Sequence, residues 1–422
     1  MQTGNDQFQI HHATEIQPLT RQWQVALLCS LVAVCDGFDT QAIAFVAPVL
    51  SKQWGIAASQ FGVVFSAGLL GLAMGAFAFG SIADRVGRKS VILLCVGLFG
   101  LTSILTSRST SMAELAFWRV LTGLGLGGVL PNLIAVTNEV ATAKTKNSLV
   151  MMMFCGFPLG ATFGGLVSAP LIHSAGWQSV FLLGGILPLI LLPLLVWLLP
   201  DTLRNPRPTV STVSDAIPNG RVSLLFASGR AIPTLLIWAA FFCNLLVMYF
   251  LVNWLPSLLS LIGTSLSVST FSTAVLNLAG IVGALGYSRY VDRQIALVLL
   301  GVGYIAGAVA MVLIAHANGN TAVILGGAAL AGAVIVGGQI AMNAVAASFY
   351  PANVRATGVG WALGIGRIGS IIGPIIGGIL LKHGWQGTTP VLFAAFPLIM
   401  AATAVLILMK FMPKGTSGFL QA

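Results

Sequence analysis

Polar residues in this chain gather in short clusters that separate long apolar runs. The runs lie at 22–50, 59–82, 90–107, 113–138, 147–171, 177–199, 231–258, 268–288, 295–315, 321–348, 357–381 and 388–411. A helix needs roughly 20 apolar residues to cross ~30 Å of hydrocarbon, so each run is a candidate crossing. The pattern predicts an all-α polytopic membrane protein with twelve transmembrane helices, numbered here as spans 1–12.

Only the connection at 201–230 is long and polar, with Pro206, Pro208, Pro218 and several Ser and Thr. It divides the chain into an N-terminal tail (1–21), a six-helix bundle (22–200), the linker (201–230), a second six-helix bundle (231–411) and a C-terminal tail (412–422). The halves repeat one another. Asp84-Arg85 after span 2 recurs as Asp292-Arg293 after span 8, an offset of 208. Gly156-Phe-Pro-Leu-Gly160-Ala161-Thr-Phe-Gly164-Gly165 in span 5 recurs as Gly369-Ser-Ile-Ile-Gly373-Pro374-Ile-Ile-Gly377-Gly378 in span 11, an offset of 213. The two bundles are therefore expected to be pseudo-symmetric.

Composition agrees with lipid as the main solvent. Charged residues are 7% of the chain and hydrophobic ones 57%, whereas a soluble domain carries about 25% charged residues. Disorder and collagen are excluded as well. The net charge of +10 acquires its meaning from where the bases lie. With the N-terminus inside, fifteen fall in cytoplasmic segments: Arg21, Arg85, Arg88, Lys89, Lys144, Lys146, Arg204, Arg207, Arg221, Arg230, Arg289, Arg293, Arg355, Lys410 and Lys414. Three, Lys52, Arg108 and Lys382, fall outside. This positive-inside bias predicts a multi-pass protein with both termini cytoplasmic, and the cell inner membrane is its expected location. It also accounts for the basic excess without nucleic acid.

Cys29, Cys35, Cys95, Cys155 and Cys243 all lie in apolar runs without CxxC or histidine spacing, so neither a metal site nor a disulfide framework is expected. The five histidines, His11, His12, His173, His316 and His383, lie in tails or loops. The first twenty residues hold Asp6, His11, His12 and Glu15 and lack the apolar core of a cleaved signal peptide. No cofactor is expected, and a monomer is the expected state.

Parallel six-span repeats joined by a cytoplasmic linker suit a secondary transporter whose halves rock about a central site. Gly80-Ser-Ile-Ala-Asp84-Arg85-Val-Gly87-Arg88-Lys89 resembles the loop 2–3 signature of the major facilitator superfamily. Arg119-x-x-x-Gly123-x-Gly125-x-Gly127 resembles its span 4 motif, and Leu199-Pro200-Asp201-Thr202 its usual end of span 6. More narrowly, Asp36-Gly-Phe-Asp39-Thr, Asn253-Trp-Leu-Pro256 and Tyr350-Pro-x-x-x-Arg355-Ala-Thr-Gly358 resemble the aromatic acid:proton symporter family. The resemblance covers all twelve spans.

Four ionisable residues lie deep within spans: Asp36, Asp39, Arg119 and Arg367. Each costs at least ~2.5–3.5 kcal/mol on insertion scales and needs a partner, a water-filled cavity or a function. Asp36 and Asp39, at i and i+3, share one helix face; two carboxylates so close do not both ionise easily, which makes the pair a candidate reversible proton site. Asp39 lies roughly 15 Å below the outer surface and Arg119 roughly 10 Å below it, so the two can meet. Arg119 is expected to hold the aspartate pair in one state and release it on protonation. The alternative is a permanent ion pair that orients spans 1 and 4. The resemblance implies proton transfer at such residues.

Arg367 lies near the midplane of span 11 with no equally deep acid in its own half. Its planar fork suits a carboxylate, which makes it the candidate substrate anchor. The alternative is bonding to backbone carbonyls or back to Asp36 or Asp39. Asn244, Tyr249, Gln339, Asn343 and Trp361 are candidates for bonding ring hydroxyls and stacking an aromatic ring, with interhelical bonding as the alternative. On the cytoplasmic side, Gly80, Asp84, Arg85, Gly87, Arg88, Glu139 and Arg355 form a candidate gating network, an assignment to which the resemblance contributes strongly.

The leading function is proton-coupled symport, with import of a small aromatic carboxylate by alternating access. The alternatives are a proton-coupled antiporter exporting drugs or metabolites, and an importer of aliphatic acids such as muconate. The resemblance associates G-x-x-x-G-P-x-x-G-G in span 5 with antiporters. Ala161 in place of that proline weighs against one. With no G-x-x-x-x-G-K-[ST], no G-x-S-x-G and no sizeable soluble domain, an ATP-driven pump, a membrane enzyme and a receptor are disfavoured.

Overall fold

The computed structural model describes residues 18–142, 145–200, 222–227, 229–289 and 295–411, with side chains at all but 84, 147, 352 and 353. Most of the N-terminal tail, most of the linker, the C-terminal tail, Lys144, Asp292 and Arg293 lie outside the described residues.

Twelve helices among the described residues are long and apolar enough to cross a membrane. Spans 1–6 are Leu19–Trp54, Phe61–Val86, Arg88–Thr106, Met112–Val140, Lys146–Ala175 and Gln178–Leu198. Spans 7–12 are Ala231–Leu261, Leu266–Ser288, Ile295–Ala315, Thr321–Phe349, Ala352–Lys382 and Pro390–Phe411. Several helices outrun their apolar cores. Span 11, expected from 357, starts at Ala352 immediately after Pro351: helical hydrogen bonding continues into polar sequence, and Pro351 keeps the preceding Tyr350 extended.

Two spans are irregular. Span 10 contains a π turn at Gly332–Val336, and span 12 is interrupted at Ala394. The second break has a direct cause: Pro397 has no N–H to donate, and its ring crowds the carbonyl of Phe393 four residues earlier.

Glycines set the closest helix crossings. A Cβ on Gly123 of span 4 would overlap the Gly68 carbonyl of span 2, and one on Gly127 would overlap that of Leu72. In the second half, Gly332 of span 10 meets the Leu276 carbonyl of span 8 in the same way. Gly160 of span 5 lies on the Val34 carbonyl of span 1, and its repeat mate Gly373 of span 11 lies on the Leu246 carbonyl of span 7. The repeated glycine motif thus makes equivalent crossings in both halves, each presenting a helix with charged residues. We expect Gly123→Ala to destabilise the protein by about 1–3 kcal/mol, the usual cost of overpacking, read as a lowered Tm in detergent. Gly80→Ala should leave Tm unchanged, since no atom lies within 4 Å of a Cβ placed there.

The halves meet through spans 5 and 8, 2 and 11, and 1 and 7. An even number of crossings puts Leu19 and Phe411 on one side, and the inter-half contacts gather toward the other. There, Gly165 packs against the Thr270 carbonyl and its mate Gly378 against that of Ser59. Ser66 Oγ donates to the Ile371 carbonyl (2.7 Å), and Phe65 meets Trp254 edge-on at 5.1 Å. Gln41 and Asn277 exchange side-chain amide bonds of 3.1 and 3.2 Å.

Candidate functional site

The close crossing of spans 2 and 4 delivers Arg119 to span 1. Its Nη1 donates to Asp39 Oδ2 at 2.9 Å and its Nη2 to the Asp39 backbone carbonyl at 3.1 Å. Ser103 of span 3 donates to Asp39 Oδ1 at 2.5 Å. The Phe181 ring lies 5.9 Å from the guanidinium carbon. Asp39 is fully buried and Arg119 is 3% exposed, so the pair is shielded from bulk solvent.

Asp36 is not held by Arg119, contrary to the expectation that the arginine grips both aspartates. The fork is already closed on the carboxylate and carbonyl of Asp39, and residues at i and i+3 point about 60° apart around a helix. Asp36 Oδ1 instead accepts from Thr40 one turn along its own span, at 3.1 Å. Its Oδ2 is buried without a hydrogen-bond partner among the described residues.

Arg367 is half-buried. Its Nη1 donates to the Tyr249 hydroxyl at 3.3 Å, and no carboxylate among the described residues forms an ion pair with it. Spans 7 and 10 are joined by an amide chain. Asn244 Nδ2 donates to Gln339 Oε1 at 2.7 Å, and Gln339 Nε2 donates to Asn343 Oδ1 at 3.2 Å. Asn244 also donates to the Ile335 carbonyl at 3.2 Å, inside the π turn, where irregular helical bonding leaves carbonyls available to side chains.

Trp361 does not join this group. It is 43% exposed and stacks on Trp238 at 5.8 Å, which itself meets Phe226 edge-on at 5.5 Å. Six residues from Arg367, it points about 120° away from it around the helix. The sequence reading, which used only membership of the same span, misses that rotation.

The gating candidates are only partly assembled. Arg88 Nε pairs with Glu139 Oε1 at 2.8 Å, each side chain about a third exposed (32% and 31%). Arg355 Nε donates to the Tyr350 carbonyl at 3.2 Å, and Arg85 is exposed. Gly87 joins spans 2 and 3 with φ of 102°, a conformation in which a side chain would be strained. No packing requirement is visible at Gly80. The Asp84 side chain lies outside the described residues.

Ser103, Thr40 and the Gln41–Asn277 pair were not singled out from sequence. Gln41 and Asn277 are polar residues well inside spans 1 and 8, so the rule that flagged Asn244 would have flagged them too. Ser103 gave no such signal, since small hydroxyls commonly bond back to their own helix's carbonyls, and Thr40 appeared only as the end of the Asp36–Thr40 stretch.

The family model of the Major Facilitator Superfamily matches residues 29–374. A 4-hydroxybenzoate transporter of Pseudomonas aeruginosa is 37% identical over 418 residues, covering 93% of each chain. A gallate transporter of Pseudomonas putida is 37% identical over 411 residues, covering 92% of this chain and 91% of that one. A 3-(3-hydroxy-phenyl)propionate transporter of Escherichia coli is 38% identical over 387 residues, covering 91% and 93%. Among solved structures, a D-xylose-proton symporter superposes with a TM-score of 0.76 at 17% identity, covering 92% and 97%. An inward-facing, unoccupied bacterial homolog of the human lysosomal transporter Spinster superposes with 0.70 at 18% identity, covering 93% and 96%. These structural likenesses concern the fold.

Proposed function

The chain belongs to the Major Facilitator Superfamily, whose members are membrane transporters and not enzymes, and from that premise we propose proton-coupled import of a small aromatic carboxylate by alternating access. The observation that carries this reading is the contrast between the two deep arginines. Arg119 is closed on Asp39, while Arg367 presents a guanidinium whose described side-chain partner is the neutral Tyr249 hydroxyl. A half-buried cation that forms no ion pair with a described carboxylate suits an anionic ligand.

The relatives named for 4-hydroxybenzoate, gallate and 3-(3-hydroxy-phenyl)propionate point to one chemical class: a carboxylate, an aromatic ring and a ring hydroxyl. In our assignment Arg367 and Tyr249 take the carboxylate, and the Asn244–Gln339–Asn343 chain takes the hydroxyl. Asp36, Asp39 and Arg119 form the proton site. Asp36 receives the proton on Oδ2, which can take it without displacing a partner, whereas both oxygens of Asp39 are engaged.

The termini are assigned to the cytoplasm of an inner-membrane protein, with the halves bounded at 22–200 and 231–411. The described conformation, shut on the side away from the termini, is then inward-facing. Gly80, Asp84, Arg85, Gly87, Arg88, Glu139 and Arg355 close the cytoplasmic side in the opposite state. One proton moving with one monoanion is electroneutral, so ΔpH should drive uptake.

The test is uptake of labelled 4-hydroxybenzoate into proteoliposomes made alkaline inside. Accumulation that collapses with a protonophore is the expected result. No accumulation of this acid, of gallate or of muconate, together with proton-driven efflux of lipophilic cations, would replace the symporter by an antiporter.

A further inference from the structure

Arg119 has one hydrogen-bonding group that Asp39 does not use. Its Nε is buried without a partner among the described residues, and a buried donor left unsatisfied costs ~1–3 kcal/mol. Beside it lies a cavity of about 10 Å³, bordered by Thr40, Gly68, Arg119 and Asn253 with apolar side chains completing the wall. That is close to the least space that holds one water molecule.

The polar groups around the cavity match a water's bonding capacity. Arg119 Nε supplies a donor. Thr40 Oγ1 donates its own hydrogen to Asp36 Oδ1, which leaves its lone pairs as acceptors. Asn253 Nδ2 donates to the Tyr249 carbonyl at 2.7 Å, which fixes the amide orientation and leaves Oδ1 as an acceptor. One donor and two acceptors make three bonds, the usual number for a buried water. A cation is disfavoured by the guanidinium, and an anion by the two oxygens.

Gly68 explains why the space exists. Its neighbours Gly71 and Gly75 are compelled by backbone contact with span 4, but a Cβ on Gly68 would make only ordinary contacts: 3.7 Å to the Arg119 carbonyl and 3.8 Å to Nε. Helix packing does not require a glycine there, and its missing side chain leaves room beside the unpartnered nitrogen.

We propose that this cavity binds one water, which accepts from Arg119 Nε and donates to Thr40 and Asn253. The water joins Asp39–Arg119 to Thr40–Asp36 within the first half. Through Asn253 it also reaches the span of the second half that carries Tyr249, the partner of Arg367. Thr40 and Asn253 are thereby positioning residues, and the bridge breaks when rocking carries span 7 away from span 1. This coupling role rests on the symport reading; the water site itself does not.

The experiment pairs high-resolution structures of the full chain and of Gly68→Ala with transport by both proteins and by Thr40→Val. We expect an ordered water within roughly 3.2 Å of Arg119 Nε in the wild type. It should be absent in Gly68→Ala, with the Arg119–Asp39 pair intact. A dry wild-type cavity overturns the site whatever the protein transports. Both variants should keep the Kd for 4-hydroxybenzoate within roughly twofold while ΔpH-driven accumulation falls about tenfold, an ordinary size for coupling between sites. Unchanged accumulation in Gly68→Ala overturns the coupling role whatever Thr40→Val does, because that second variant also strips Asp36 of its Thr40 bond. If the wild type accumulates no aromatic acid, the symport reading and the coupling role fail, and the water density still decides the site.

Discussion

Asp39→Asn should lower ΔpH-driven accumulation by about a hundredfold, because it removes a carboxylate of the proposed proton site, and should separately reduce thermal stability. Asn keeps the size of the side chain and can still accept from Ser103 or Arg119, but it removes the negative charge from a pair that is fully buried. Deleting one partner of a buried pair leaves an uncompensated charge and costs about 3–5 kcal/mol of stability. Stability and coupling can be separated. In Asp39→Asn combined with Arg119→Gln the stranded charge is gone, so Tm should recover while proton-driven accumulation does not. Non-additivity of this kind is expected for residues in direct contact. Counterflow, which needs no net proton movement, would show whether the doubly neutral protein still cycles. A single Asp39→Asn variant that accumulates substrate like the wild type would remove Asp39 from the proton site and leave the pair as a permanent strut.

What could be read from the sequence depended on whether one helix or several decide the outcome. The spans were legible because crossing hydrocarbon is a condition each helix meets alone. The span 5 and span 11 glycines were legible as a repeat, and their equivalent crossings on spans 1 and 7 follow from packing that repeats with them. The meeting of Asp39 and Arg119 was legible through depth, because 1.5 Å per residue converts position in a span into height. Rotation about the helix axis was not legible from the same count. It decides that Asp36 turns to Thr40, that Trp361 stacks on Trp238 away from Arg367, and that Gln41 meets Asn277 across the halves. The hydroxyl of Ser103 on Asp39 depends on the approach of a third helix, and nothing local to Ser103 encodes it.

Arg367→Lys separates a ligand-binding charge from a structural one, and its expected effect is the reverse of that at Asp39. Lysine preserves the positive charge but replaces two parallel N–H donors in one plane by a point charge on a flexible stem. Losing one charge-assisted hydrogen bond, worth ~1.5–3 kcal/mol, should raise the Kd for 4-hydroxybenzoate by about 10- to 150-fold. Tm should hardly move, because the described side-chain partner of Arg367 is a neutral hydroxyl and the residue is half-buried. Tyr249→Phe, which removes a neutral bond of ~1 kcal/mol, should weaken binding about fivefold. A carboxamide analogue, which lacks the second anionic oxygen, should bind weakly and distinguish little between arginine and lysine. Titration calorimetry on purified protein measures all three. If Arg367→Lys instead lowers Tm as much as Asp39→Asn does and leaves Kd unchanged, the guanidinium is holding the helices together and the carboxylate must be bound elsewhere.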